Sequence, residues 1–427
     1  MFSCREAVSG AMSLRSDSQP NNVDKSRLAH HLALILAAVI VASSSPAAAA
    51  AASGVLPGID VWRQRGYAPL AGKRVGLITN VTGNTADGRS TVAILAAAAE
   101  LELAALFSPE HSFFADQEGS VDGGVHAATG LTVHSLYGET RRPTAAMLDG
   151  LDALVFDIQD VGTRIYTYAT TLAYCMEEAA AADMPIVVLD RPNPIGGTAV
   201  SGPVLDEEHR SFVGYAPLPV RHGMTIGELA LYFNAELAVG ADLTVIRLAG
   251  WQRAMWFDQT GLEWVNPSPN IRNPRQALLY PALGPLEWTN ISVGRGTGKP
   301  FEWFGAPWID GHELADALNA AALPGLRVAA GRLTPAASVH ADRECGGVYL
   351  EVTDRDAFDS GLTLATIATS LQQMYAADWE REQLVPLWGD GAIDSQLDTG
   401  MSATAIVASW EQDLSTFRAA RARHLLY

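Results

Sequence analysis

The sequence predicts an α/β protein, with a largely parallel sheet domain followed by a smaller α+β domain. Three observations carry this reading. Short continuous apolar runs alternate with helix-period segments from residue 73 to residue 250, as expected of strands covered on both faces by helices. Four of these runs turn polar at their carboxyl ends. A proline-rich stretch, residues 264–285, then breaks the rhythm, and Pro267, Pro269, Pro274, Pro281 and Pro285 argue against a long helix there.

In chain order, "KRVGLITN" reads as a strand, "STVAILAAAAE" as a helix and "LELAALF" as a strand. "LDALVFDIQD" and "MPIVVLDRPNP" are further strands, with the helical "TYATTLAYCMEEAAAA" between them. "TIGELALYFNAEL" and "DLTVIRLAG" close the series as helix and strand. The expected boundaries are a signal peptide and flank at 1–53, the sheet domain at 54–275 and the smaller domain at 276–427. The latter contains the strand "GGVYLEVTD" and helices around 310–322, 357–377 and 404–421.

Residues 1–53 differ from the rest. Arg5, Arg15, Lys25 and Arg27 precede the apolar "LALILAAVIVA", and an Ala/Ser-rich exit follows. This is the layout of a secretory signal, and its apolar segment is shorter than the roughly 20 residues that span a bilayer. The expected location is therefore outside the cytoplasm, periplasmic or extracellular, with no stable membrane insertion once the signal is removed. A net charge of −18 repels phosphate backbones and anionic lipid, which disfavours nucleic acid as a partner. Cys4 lies in the leader; Cys175 and Cys345 are open to either a disulfide or two separate buried thiols. Oligomeric state is not encoded in any motif.

Several motifs are excluded by their spacing. "VGRGTGKP" has Val293 where a phosphate loop needs glycine and Pro300 where it needs Ser or Thr, so it reads as a Gly-rich loop approaching a ligand or the other domain. The turn after the first strand, "TNVTGNTADG", lacks the dinucleotide fingerprint. No G-x-S-x-G elbow follows the leader, and the histidines form no zinc pattern. No cofactor and no metal are expected.

Carboxylates at strand exits remain. The exits supply Asn80; Glu110 and His111; Asp157, Gln159 and Asp160; and Asp190, Arg191 and Asn193. Ligands of open parallel sheets bind at that edge. Hydrolysis of a glycosidic bond needs an acid for the leaving oxygen and a second group to assist attack. Glu110 is the candidate acid: Pro109 fixes the turn, and Phe107, Phe113 and Phe114 are placed to desolvate the carboxyl.

The blocks "SPEH", "VFDIQDVGTRIYTY", "LDRPNPIGG", "SGPVLD", "PVRHGMTIGELA", "SPNIR", "TNISVGRGTGKPFEWFGAPW" and "GGVYLEVTD" occur in this order. Together, from about residue 58 to the C-terminus, they resemble the exo-β-N-acetylmuramidase family of peptidoglycan hexosaminidases. The resemblance implies a Rossmann-like domain joined to a smaller α/β domain with the active site in the cleft between them. It also implies removal of N-acetylmuramic acid from the non-reducing end of peptidoglycan fragments, and a catalytic glutamate at Glu110. The chain departs from the family pattern at Ser112 and Trp288, where glycine is usual, and in the loop "FFADQEGS".

On this reading Glu110 protonates the leaving oxygen, held by His111, and Asp160 is the second carboxylate, with His222 as the alternative. A separation of about 5 Å between the two carboxyls would indicate retention, and roughly 6.5–9.5 Å inversion. Arg164, Arg191, Arg221 and Arg295 are candidates to bind the lactyl carboxylate of muramic acid as a guanidinium fork. Asn80, Asn193 and Asn290 are candidates for sugar hydroxyls or the N-acetyl group, and Tyr166 and Tyr168 for stacking on a sugar face. The rival readings are a periplasmic amino-sugar-binding protein and a hydrolase of another exported glycoside or ester.

Overall fold

Seven strands form one sheet in the order β3-β4-β2-β1-β5-β6-β9. They are β1 (Arg74–Thr79), β2 (Glu102–Ser108), β3 (Gly124–Val125), β4 (Thr132–Ser135), β5 (Ala153–Asp157), β6 (Ile186–Leu189) and β9 (Leu243–Ile246). All neighbours pair in parallel except the edge pair β3–β4, which is antiparallel. The computed structural model describes residues 54–119 and 122–427; the signal read at 1–53 lies outside them.

The apolar runs are continuous because both faces are covered. Successive side chains of a strand point to opposite faces. Val75 and Leu77 of β1, Val155 of β5 and Val187 and Leu189 of β6 meet Ile59 and Trp62 of helix Gly58–Gln64 and Val92 and Leu95 of helix Thr91–Ala96. The alternate positions, Ile78, Leu154, Phe156, Ile186 and Val188, meet Leu172 and Met176 of helix Tyr168–Ala181 and Leu229 and Phe233 of helix Ile226–Glu236. Strand order reverses at β1, which has β2 on one side and β5 on the other. The exits of β1 and β5 therefore flank the crevice where a doubly wound sheet takes its ligand.

The remainder contains a two-stranded sheet, β7 (Ser201–Val204) with β8 (Pro219–Arg221), and a three-stranded antiparallel sheet in the order β10-β12-β11. Its strands are β10 (Trp303–Ala306), β11 (Leu326–Leu333) and β12 (Cys345–Val352), flanked by helices Gly311–Ala320 and Ser360–Tyr375. The proline-rich junction holds a ten-residue helix, Pro274–Leu283. Pro274 sits in its first turn, where no N–H is needed, and Asn273 accepts from the Gln276 N–H as cap. Pro281 is its third-last residue.

The two parts share one core. Val328, Val348 and Leu350 of the small sheet belong to the same buried cluster as Ile78 and Phe156 of the large one, and Gly54–Tyr427 forms one compact unit. The chain end also returns to the large sheet, where the Tyr427 hydroxyl donates to Asp190 Oδ2 at 2.7 Å. Cys175 and Cys345 are separate, buried free thiols. No helix among the described residues is long and apolar enough to cross a membrane.

Candidate active site

β2 ends at Ser108, and Pro109 turns the chain into the loop that carries Glu110. The Val81 N–H donates to Phe113 O at 2.8 Å, tying this loop to the exit of β1. His111, Ser112 and Ala115 have φ of 70°, 75° and 55°, a left-handed conformation that costs a residue with a Cβ about 1–2 kcal/mol. Ser112 therefore occupies a position that suits glycine. Its hydroxyl offsets part of the strain by donating to Asp116 Oδ1 at 2.9 Å and accepting from the Phe114 N–H at 3.2 Å. From the small-sheet side, the Asn270 amide and Arg295 hold Glu118, with Arg295 Nη1 at 3.0 Å.

This scaffolding leaves Glu110 partly buried, with Oε2 accepting from Thr167 Oγ1 at 2.5 Å. The Tyr137 phenol stands beside the same carboxylate; burial, then the Glu110 charge, push it up to about 12. His111 serves the loop instead, its Nδ1 lying 3.0 Å from Gln117 O. The expected His111 clasp on Glu110 is not formed. Thr167 and Tyr137 hold that place.

Asp160, at the exit of β5, is the second unusual carboxylate. Its Oδ2 accepts from the Gly162 N–H at 2.6 Å. That contact needs glycine: Gly162 has φ 83°, and a Cβ there would lie 2.4 Å from Asn193 Oδ1. Asp160 Oδ1 is buried and without a partner among the described residues. Burial, only partly offset by the Gly162 and Val161 N–H groups, pushes the carboxyl up to about 7.

His222 Nε2 lies 3.9 Å from Asp160 Oδ2, too far for a hydrogen bond. Burial, helped by Arg421 and Arg221, lowers His222 to about 3, so the imidazole is neutral and the contact is not an ion pair. The Met224 N–H donates to His222 Nδ1 at 3.1 Å, which leaves the ring proton on Nε2, also unpartnered. The Tyr166 hydroxyl is buried, and that burial, with the Asp160 and Glu110 charges adding to it, holds it well above its ordinary value. Its ring packs edge-on against Tyr168 at 4.8 Å.

Other candidates are committed to the fold. Arg164 gives its guanidinium to the carbonyls of Pro203, Leu218, Leu387 and Trp388 at 2.7–3.3 Å, leaving no fork for a substrate carboxylate. Arg191 pairs with Asp157 through Nε at 2.6 Å and Nη2 at 3.0 Å. Arg221 donates to Ile195 O, and burial lowers its basicity. Asn193 bridges Met224 O and the Ile195 N–H at 2.9 and 3.1 Å. Asn290 bonds Asp378 O and the Glu380 N–H at 2.7 and 3.0 Å, within the smaller part.

Asn80 donates to the Tyr168 hydroxyl at 2.9 Å, and that hydroxyl donates to Pro267 O at 2.5 Å, so this pair braces the wall of the site. Burial works against the charge of Arg295, but Glu287 and Glu118 outweigh it and hold the guanidinium above its ordinary value. Arg295 thereby clamps the loop that carries Glu110 rather than offering a fork. Its glycine-rich loop packs elsewhere, with Gly296 against the backbone of Ala336 and Ala337.

A doubly wound sheet with two carboxylates of different environment at its carboxyl edge, one clamped by hydroxyls and one buried with a free oxygen, is equipped for acid–base hydrolysis. Sequence comparison gives the family. Residues 75–275 match the description "Exo-beta-N-acetylmuramidase NamZ, N-terminal", and residues 278–427 its C-terminal counterpart. The peptidoglycan beta-N-acetylmuramidase NamZ of Bacillus subtilis (strain 168) is 45% identical over 378 residues, 87% of this chain and 91% of that protein.

Two crystal structures of DUF1343 family proteins from Bacteroides fragilis NCTC 9343 share the fold. One superposes with a TM-score of 0.81 at 35% identity, covering 87% of this chain and 99% of the other. The second gives 0.72 at 30% identity, covering 88% and 99%. The chain belongs to the exo-β-N-acetylmuramidase NamZ family and is a glycosidase.

Proposed function

We propose that this glycosidase is exported and releases N-acetylmuramic acid from the non-reducing ends of peptidoglycan fragments during cell-wall turnover or recycling. The observation that carries the reading is Glu110, presented on a braced loop with its carboxylate held by Thr167, in the family block "SPEH". The 45% identity to the Bacillus subtilis muramidase supports the substrate class, and the basic, apolar and Ala-rich order of residues 1–53 supports export.

In the proposed mechanism Glu110 delivers a proton to the departing glycosidic oxygen. Asp160, which keeps a buried oxygen without a partner among the described residues, is the second carboxylate, and neutral His222, with Nε2 3.9 Å from Asp160 Oδ2, is the alternative. Incubation with synthetic muramic-acid and glucosamine glycosides side by side tests the reading. Release from the muramic-acid glycoside alone is the expected result. Equal release from both overturns the specificity, and release from neither overturns the activity. Recovery of the chain in the cytoplasmic fraction with residues 1–53 intact overturns export.

A further inference from the structure

A cavity of about 110 Å³ opens at the exits of β1, β5 and β6. We propose that it is a second saccharide site, separate from Glu110, which takes one uncharged sugar ring. One wall is apolar, made by Phe257, Leu262 and Trp264; the other is polar, made by Thr82, Gln159 and Arg191. Such a two-sided lining suits a pyranose, whose C–H face packs on an aromatic ring while its hydroxyls meet polar groups.

The polar wall has unused capacity. Gln159 donates through Nε2 to the Asp160 and Pro192 carbonyls at 2.7 and 2.8 Å, and among the described residues its Oε1 accepts nothing. Arg191 spends Nε and Nη2 on Asp157 and Asn84, and Nη1 has no protein acceptor among the described residues. Both side chains are 5% exposed, so the fold fixes these two groups in place.

Size and charge narrow the ligand. A water needs roughly 10–15 Å³ of such volume, so the cavity has room for several waters or one sugar ring, and too little for a glycan strand. The Arg191 charge is neutralised in a two-point pair with buried Asp157. Exposed Glu263 adds a negative charge to the lining. An anionic sugar is therefore disfavoured against a neutral one.

The cavity is also divided from the catalytic carboxylate. Trp264 and Val265 line it, while Pro267, two residues on, already faces the Tyr168 hydroxyl on the Glu110 side. Thr82 closes the remaining gap, donating to Asn80 Oδ1 at 2.6 Å and accepting from the Gln159 N–H at 3.0 Å.

The test is titration with N-acetylglucosamine and with N-acetylmuramic acid, read by ligand-observed NMR. It uses the full protein and the Glu110→Gln, Trp264→Ala and Ala86→Trp variants. N-acetylglucosamine is expected to bind with a dissociation constant on the order of 1 mM, as its size allows, equally in the wild type and in Glu110→Gln. Loss of this binding by at least about tenfold in either Trp264→Ala or Ala86→Trp, with glycosidase turnover retained in Ala86→Trp, supports the site. Ala86 lies on the cavity wall and is exposed, so this variant keeps the test decisive if Trp264→Ala does not fold.

Binding that survives both substitutions, or no binding at all, overturns the proposal. Loss of turnover along with binding in Ala86→Trp makes the cavity part of the catalytic site and overturns its independence. Tighter binding of N-acetylmuramic acid that is lost in Ala86→Trp overturns the preference for a neutral ring. Because the Glu110→Gln arm reads binding without chemistry, failure of the catalytic reading and failure of this one are distinguishable.

Discussion

Asp157 and Asp160 leave the same strand three residues apart, yet their environments are opposite. Asp157 is wholly buried and satisfied: Arg191 grips both oxygens, and Thr91 Oγ1 adds a donor at 2.6 Å. Asp160 is buried too, and among the described residues it receives only backbone N–H groups and keeps one oxygen bare. Asp190 at the exit of β6 follows Asp157, with Thr225, Tyr427 and the Gly227 N–H around it at 2.7–2.8 Å. Glu110 follows neither pattern, being accessible and held by hydroxyls. Paired carboxylates at this edge knit the sheet to its loops; incompletely paired ones are available for chemistry.

The comparison breaks most directly at Arg191. Arg191→Met is expected to strand Asp157 as an uncompensated buried charge and to destabilise the protein by about 3–5 kcal/mol, read by chemical denaturation. A loss below about 1 kcal/mol would show that Asp157 is not relying on its partner.

Asp160 predicts a pH dependence of the opposite kind. Its folded value, about 7, lies above the ordinary 3.8. The folded state therefore binds the proton more tightly, and the associated stability is present below about pH 4 and lost as pH rises through 7. Asp160→Asn, which cannot ionise, should gain on the wild type across that window, by up to about 4 kcal/mol at the upper end. Asp190, raised to about 6, and His222, lowered to about 3, remain in both proteins, so the difference isolates Asp160. A gap between the two stability curves that stays constant from pH 4 to pH 8 would contradict the burial of this carboxyl.

Glu110→Gln removes the proposed proton donor while keeping shape. Turnover of a muramic-acid glycoside is expected to fall at least about 100-fold, the usual scale of general acid–base catalysis, with stability nearly unchanged because Glu110 is only partly buried. A folded variant with near-normal rate removes Glu110 from the mechanism.

Much of this contrast was legible in the sequence, and the limit has a physical origin. The strands of the parallel sheet stand out because burial on both faces demands unbroken apolar runs, as in "ALVFD" and "IVVL". The edge strand β3, its neighbour β4 and the half-exposed β11, "LRVAAGRL", carry no such run. Polar strand exits marked the carboxyl edge of the sheet, and Glu110 and Asp160 both lie on it. Pattern alone does not say which carbonyls a polar side chain will meet: Arg164, Asn193 and Asn290 look like ligand-binding groups until the contacts of distant segments are known. Tyr137 left no signal, since it comes from the loop after β4 and reaches Glu110 only through the fold. Thr167 had a weak one, a hydroxyl immediately before helix Tyr168–Ala181 in a block already singled out for its tyrosines.

Thr167 offers the finest test of what separates Glu110 from the structural carboxylates. If its hydroxyl merely packs, Thr167→Val, which keeps the branched shape, should leave catalysis intact. If its 2.5 Å hydrogen bond positions the Glu110 carboxylate, the same substitution should lower kcat by about tenfold, the scale of one hydrogen bond to a charged group. KM should stay close to the wild-type value, because substrate binding does not depend on that donor. Thr167→Ser restores the hydroxyl and should recover most of the rate. A Ser variant as slow as the Val variant would show that the hydroxyl alone does not position Glu110, and Tyr137 would then stand as the remaining hydroxyl beside it.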